Sequence, residues 1–128
     1  PFDRVNTGDN TPAVIHVEIV PGAELMRKAL SDNTAALKLQ PGKFSYFPNT
    51  TGDAIMSGAI NALAGAVERM ARFLEETGQP QPVCVLSGGG AALLEPHLNL
   101  EVKVVDNLVL EGLITIADEA SALNAQDP

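Results

Sequence analysis

The sequence predicts an α/β domain with a small mixed sheet and flanking helices. Three observations lead there. One long segment carries apolar residues at helical spacing. Two short apolar or alternating runs, Pro82 to Leu86 and Glu101 to Val105, are each followed by a turn and a new helical pattern. A third run, Ala13 to Val20, is rich in the β-branched residues that favour strands.

The chain opens with Thr7-Gly8-Asp9-Asn10-Thr11-Pro12, a cluster of turn residues. Ala13 to Val20 reads as a strand, with Asp3 to Asn6 as its hairpin partner. Pro21-Gly22 ends it. Ala23 to Asp32 follows as a short helix, with Leu25, Met26, Ala29 and Leu30 on one side. Pro41-Gly42 marks a turn inside a mixed stretch. Pro48-Asn49-Thr50-Thr51 reads as a helix start, because Asn and Thr side chains cap free N–H groups.

The next helix runs from Thr51 to Glu76. Ile55, Ala59, Leu63, Val67, Met70 and Leu74 recur on one face. Its first half is crowded with small residues, among them Ala54, Gly58, Ala62 and Gly65. Two readings stand: a tight helix–helix contact, within the domain or across a dimer, and an ordinary core helix. Gly78, Pro80 and Pro82 stop it. Pro82 to Leu86 is read as a buried strand, Ala91 to Leu98 as a helix and Glu101 to Val105 as a strand. Leu108 to Ala120 is a final helix with Leu110, Leu113, Ile114 and Ala117 inward. Residues from Ser121 to Pro128 are expected to fray. The whole is taken as one domain, 1–128, with 1–12 as a loop or hairpin start and 121–128 as a tail.

Composition narrows the function. With 128 residues, 45% hydrophobic and 19% charged, the chain has the composition of a folded domain rather than a disordered one. The net charge of −8 repels phosphate backbones and anionic lipid, so nucleic-acid and membrane partners are not expected. A single cysteine, Cys84, rules out an internal disulfide and a cysteine-cluster metal site. No secretory leader or membrane span is read, and a reducing, cytoplasmic setting is the expectation.

The strongest candidate site is Ser87-Gly88-Gly89-Gly90, between an apolar strand and a helix. Glycines let a flat or phosphorylated ligand approach the backbone. The following helix start offers free N–H groups, and ligands of open α/β folds sit at such strand ends. It lacks the spacing of a dinucleotide fingerprint or a P-loop. The alternative is a tight strand-to-helix turn that binds nothing. Thr50 is the second candidate, as a cap or as a ligand for substrate hydroxyls. His16 and His97 lack partners at metal-ligand spacing. His97 is placed at the surface, His16 in the strand, and Cys84 is read as an inert buried thiol.

These segments, taken in order, resemble the C-terminal half of type III pantothenate kinases, the family that includes the Bvg accessory factor. The matching residues are Ile19-Val20-Pro21-Gly22 with Glu24 to Leu30, Asn33 to Leu37, Asn49-Thr50-Thr51 with Ala54-Ile55 and Ser57-Gly58, Leu86-Ser87-Gly88-Gly89, and Asp106 to Leu113. They cover residues 13–118. The resemblance implies a ribonuclease-H-like domain of the acetate/sugar kinase, Hsc70 and actin superfamily. It implies transfer of the ATP γ-phosphate to pantothenate, the first step of coenzyme A synthesis. It also implies a homodimer, with Mg²⁺ and a monovalent cation (K⁺ or NH₄⁺) held mostly by an N-terminal half. Ser87, Gly88, Gly89 and Gly90 then correspond to the ATP-binding segment near the adenosine. Thr50 corresponds to the threonine that contacts pantothenate across the dimer, and Pro21-Gly22 to a turn bordering the substrate. Asp3 is a candidate counterpart of an aspartate near the phosphate contacts.

Two departures qualify the match. His16-Val17-Glu18 stands where the family has a Gly-Gly pair, which narrows the expected substrate pocket. The phosphate loop, the catalytic base and the cation-binding aspartate are upstream features of the family. No catalytic or metal-binding residue is therefore assigned to this chain, which is expected to be a fragment, a cleavage product or one subunit of a split enzyme. The alternatives are a non-catalytic regulatory or interaction protein on the same scaffold, and an unrelated α/β binding module.

Overall fold

The computed structural model describes residues 5–6, 12–13, 15–33 and 41–126. Among these, β1 (Val5–Asn6) pairs antiparallel with β2 (Pro12–Ala13). Helix α1 (Ala23–Asn33) and helix α2 (Thr51–Glu76) follow. Strand β3 (Val83–Leu86), helix α3 (Ala91–Leu94) with a 3-10 turn at Glu95–His97, and strand β4 (Glu101–Val104) form a strand–helix–strand unit. Helix α4 (Leu108–Gln126) ends it. β3 and β4 are parallel and in register from Val83 opposite Glu101 to Leu86 opposite Val104. The small α/β plan is therefore observed, its sheet divided into two separate pairs of strands.

The core lies where α1 crosses α2 and where α3 meets both. Ala23, Ala59, Ile60, Leu63, Ala64 and Leu94 are buried together, with Met26, Phe44, Met56, Leu86 and Leu98 packed against them. Alanines at the crossing let the two helix backbones approach, so a modest apolar area still excludes water. α2 starts and stops where the sequence predicts. Thr50 adopts extended dihedrals, and its hydroxyl accepts the Asp53 N–H at 3.1 Å. Beyond the last turn, Thr77 and Gln79 donate to the carbonyls of Phe73 and Leu74, and Gly78 takes φ +89°.

Several expectations need correction. Residues 15–20 are irregular, so among the described residues the strand predicted over Ala13 to Val20 is present only at Ala13. Ile19 is 98% exposed. A β-branched run becomes a strand only when a neighbour accepts its hydrogen bonds, and none among the described residues does. His16 thus lies exposed in a loop, 3.1 Å from Glu18. β3 is covered on one face only: Val83 and Val85 are exposed, Cys84 and Leu86 half-buried. α4 continues to Gln126, past the expected end at Ala120, because Ser121 to Gln126 contains no glycine or proline. Its Leu113, Ile114 and Ala117, expected inward, are exposed. His97, expected at the surface, is half-buried with its ring centroid 4.2 Å from that of Phe44. Asp3, the Thr7 to Thr11 turn and the 34–40 stretch lie outside the described residues.

A clip that the sequence does not announce fixes the start of α2. Gly42 lies against its first turn so closely that a Cβ there would fall 2.0 Å from the Gly52 carbonyl oxygen and 2.9 Å from the Asp53 nitrogen. Lys43 N–H donates to Asp53 Oδ1 at 2.9 Å, and Ser45 N–H donates to the buried Ser57 Oγ at 2.9 Å. Residues 42–45 are thereby strapped along α2. Gly42→Ala puts a methyl group into backbone atoms that have no side-chain freedom to yield. Urea unfolding should show a loss of roughly 1–3 kcal/mol, as for other overpacked sites. An unchanged midpoint would mean that the strap does not hold in solution.

Candidate functional site

β3 and β4 run parallel, so their following loops emerge at the same end. The loop after β3 is Ser87-Gly88-Gly89-Gly90. Its hydrogen bonds are those of a tight turn: Ala91 N–H to the Gly88 carbonyl at 3.2 Å and Leu94 N–H to that of Gly90 at 3.2 Å. Val105 N–H donates to the Leu86 carbonyl at 2.8 Å, which carries the ladder one residue past β4. Ser87 Oγ accepts the N–H of Leu108, the first residue of α4, at 3.2 Å.

The three glycines have different causes. Gly88 takes φ +111°, a conformation costly for any residue with a Cβ. A Cβ on Gly90 would sit at ordinary contact, 3.8 Å from the Ala23 nitrogen and 3.9 Å from Gly22 Cα. A Cβ on Gly89 would meet nothing within 4 Å, and its φ is outside the left-handed region. Gly88 and Gly89 are exposed and Gly90 is half-buried, so the turn is open to a ligand.

The turn touches the second motif through α1. Gly90 faces the Pro21-Gly22 turn and the first residue of α1, Ala23, which is only 2% exposed. Further along, Met26, Ala29 and Leu30 of α1 face Thr51, Ile55 and Gly58 of α2 across an open apolar groove of about 630 Å³. The structure therefore gathers Pro21-Gly22 and Ser87–Gly90 at one end of α1. Thr50 stands on a separate element, exposed, at the start of α2. Its hydroxyl is engaged in capping. Ser87 to Gly90 do not line the groove.

Electrostatics at this site are mild. On α1 the Arg27 guanidinium pairs with Glu24 and holds that carboxyl below its usual range, through a hydrogen bond first and charge second. Burial pushes the Cys84 thiol above its ordinary value, which keeps it protonated and unreactive at neutral pH. Among the described residues no three His, Cys, Asp or Glu side chains come together as a metal site. No step is therefore assigned to Mg²⁺ or a monovalent cation at the described residues. No described helix is long and apolar enough to cross a membrane.

A model of the type III pantothenate kinase family matches residues 14–73. The chain is also 52% identical over 103 residues to a type III pantothenate kinase of Nitrosospira multiformis, covering 80% of this chain and 39% of that protein. Over about four fifths of its length this sequence is similar to type III pantothenate kinases. It is 48% identical over 104 residues to the Aromatoleum aromaticum kinase, covering 81% of this chain and 42% of the relative. It is 45% identical over 101 residues to the kinase of Chromobacterium violaceum, covering 78% and 43%. The chain thus spans about two fifths of the length of these relatives. Matches of this length extend beyond residues 14–73 and take in most of the elements of the fold.

Sequence reasoning missed the Gly42 strap and the bond between Ser87 and the start of α4. Asp53 and Ser57, four residues apart on one helix edge, were the available signal for the strap. A pair of variants separates the glycines. Gly88→Ala should destabilise the chain by about 1–2 kcal/mol through its left-handed backbone, whereas Gly89→Ala should leave stability unchanged or slightly higher. Equal losses in a thermal melt would contradict these roles.

Proposed function

We propose that this chain is the C-terminal lobe of an enzyme that transfers the γ-phosphate of ATP to the hydroxyl of pantothenate, the step that opens coenzyme A synthesis. The observation that carries the reading is Gly89. Neither packing nor backbone conformation requires glycine there, and it lies in the exposed turn after β3, where a ligand can reach its backbone. In this reading that ligand is the nucleoside end of ATP. It lies on the open turn at the ends of parallel strands, where the backbone of Gly88 to Gly90 is approachable.

The lobe has a ribonuclease-H-like plan, and its open strands β3 and β4 continue into a larger sheet. Parallel sheets are ordinarily covered on both faces, and Val83, Val85 and Val104 are exposed here. The remainder of the enzyme supplies the acidic groups that hold Mg²⁺ and the monovalent cation, together with the catalytic base. Phosphoryl transfer depends on positioning and on neutralising charge around the phosphates. This lobe contributes the positioning of the nucleoside. Thr50 contributes a hydroxyl to pantothenate beside the partner subunit of a homodimer. The exposed small residues Ala54, Gly58, Ala62 and Gly65 of α2 suit close approach by a second copy. The enzyme works in the cytoplasm.

Kinetics of the complete enzyme test the reading. Gly89→Ala should raise KM for ATP at least severalfold and leave KM for pantothenate unchanged. Thr50→Ala should raise KM for pantothenate and lose a cap worth about 1 kcal/mol. Thr50→Asp, which restores the cap, should recover the stability but not the KM. The chain by itself should not phosphorylate pantothenate. Unaltered ATP kinetics in Gly89→Ala would reduce the turn to a structural element.

A further inference from the structure

The Ser87 side chain sits among the glycines of the candidate nucleotide turn, and its place in the sequence suggests a ligand contact. Its geometry points elsewhere. The Oγ accepts the backbone N–H of Leu108, 21 residues downstream. Leu108 is the first residue of α4, and the helix's first internal bond runs from Glu111 N–H to the Asn107 carbonyl at 3.0 Å. The N–H of Leu108 is therefore one of the four that a helix start leaves without an internal acceptor. A hydroxyl from a different loop supplies the acceptor.

We infer that Ser87 is a positioning residue: its hydroxyl fastens the start of α4 to the loop after β3, and so holds the Gly88–Gly90 turn in the form that receives the nucleotide. The inference rests on the proposed function for its kinetic consequence, though not for the bond itself. Two parallel strands deliver their loops to one end. The Val105-to-Leu86 bond joins them at the ladder's last rung, and Ser87 to Leu108 joins them one step further out. The adjoining Gly88 to Gly90 segment consists of residues with wide conformational freedom. Fixing Ser87, the residue before it, to a 19-residue helix limits what the turn can sample.

The test compares Ser87→Ala with Ser87→Thr, which keeps the hydroxyl. Hydrogen exchange at the Leu108 amide, read by NMR on this chain, should accelerate roughly fivefold in Ser87→Ala, the loss expected of a helix-start acceptor. It should return toward the original rate in Ser87→Thr. In the complete enzyme, Ser87→Ala should raise KM for ATP with KM for pantothenate unchanged, and Ser87→Thr should restore it. Unchanged Leu108 exchange in Ser87→Ala overturns the inference. So does faster exchange with an unaltered KM for ATP, or a raised KM that the threonine does not rescue. If the complete enzyme turned over no ATP with pantothenate, the functional reading would fail, while the exchange experiment would still decide the bond.

Discussion

Ala23 is the point on which this architecture turns. It is almost fully buried where α1 starts, against α2 on one side and the glycine turn on the other. A larger side chain there would push α1 away from both. The small side chain lets the turn after β3, the Pro21-Gly22 turn and the first residues of α1 share one corner of the molecule. That proximity converts two sequence motifs, far apart along the chain, into a single candidate surface. The rest of the core consists of neighbours that keep α1 pressed in place, with Ile60 and Leu94 filling the space beneath it.

The helices were legible because their signals are local. α2 carries its own periodicity, a threonine cap and a glycine stop, and it forms with the bounds its sequence predicts. The 15–20 segment was not, because β-branched composition expresses a strand only when another strand is present to pair with it. The apolar face of α4 is a similar case. Leu113, Ile114 and Ile116 mark a surface suited to burial, yet they are exposed among the described residues. Periodicity identifies which face wants a partner and says nothing about whether this chain contains it.

The candidate site was legible in part for the same reason. A glycine run after an apolar strand is a local pattern, and the turn it predicts is present and open. What distinguishes Gly88 from Gly89 is a backbone angle in one case and empty space in the other, and neither is written in the letters. Gly42 is the sharper example. It reads as one half of a Pro-Gly turn, but its requirement comes from the Gly52 carbonyl ten residues on. Ser87 likewise reads as part of a ligand loop, while its hydroxyl serves a helix start. Such tertiary duties attach to residues whose types are also common in turns, so the local reading hides them.

The division of labour follows from charge. The turn offers backbone and space, and the described side chains bring no metal-holding group to it. A surface of this kind suits an uncharged nucleoside better than a triphosphate. Photolabelling of the complete enzyme with 8-azido-ATP, followed by tryptic mapping, tests that assignment most directly. The account predicts label on the peptide between Arg72 and Lys103, which carries Ser87 to Gly90, and protection of that peptide by unlabelled ATP. Label confined to peptides outside this chain would contradict it.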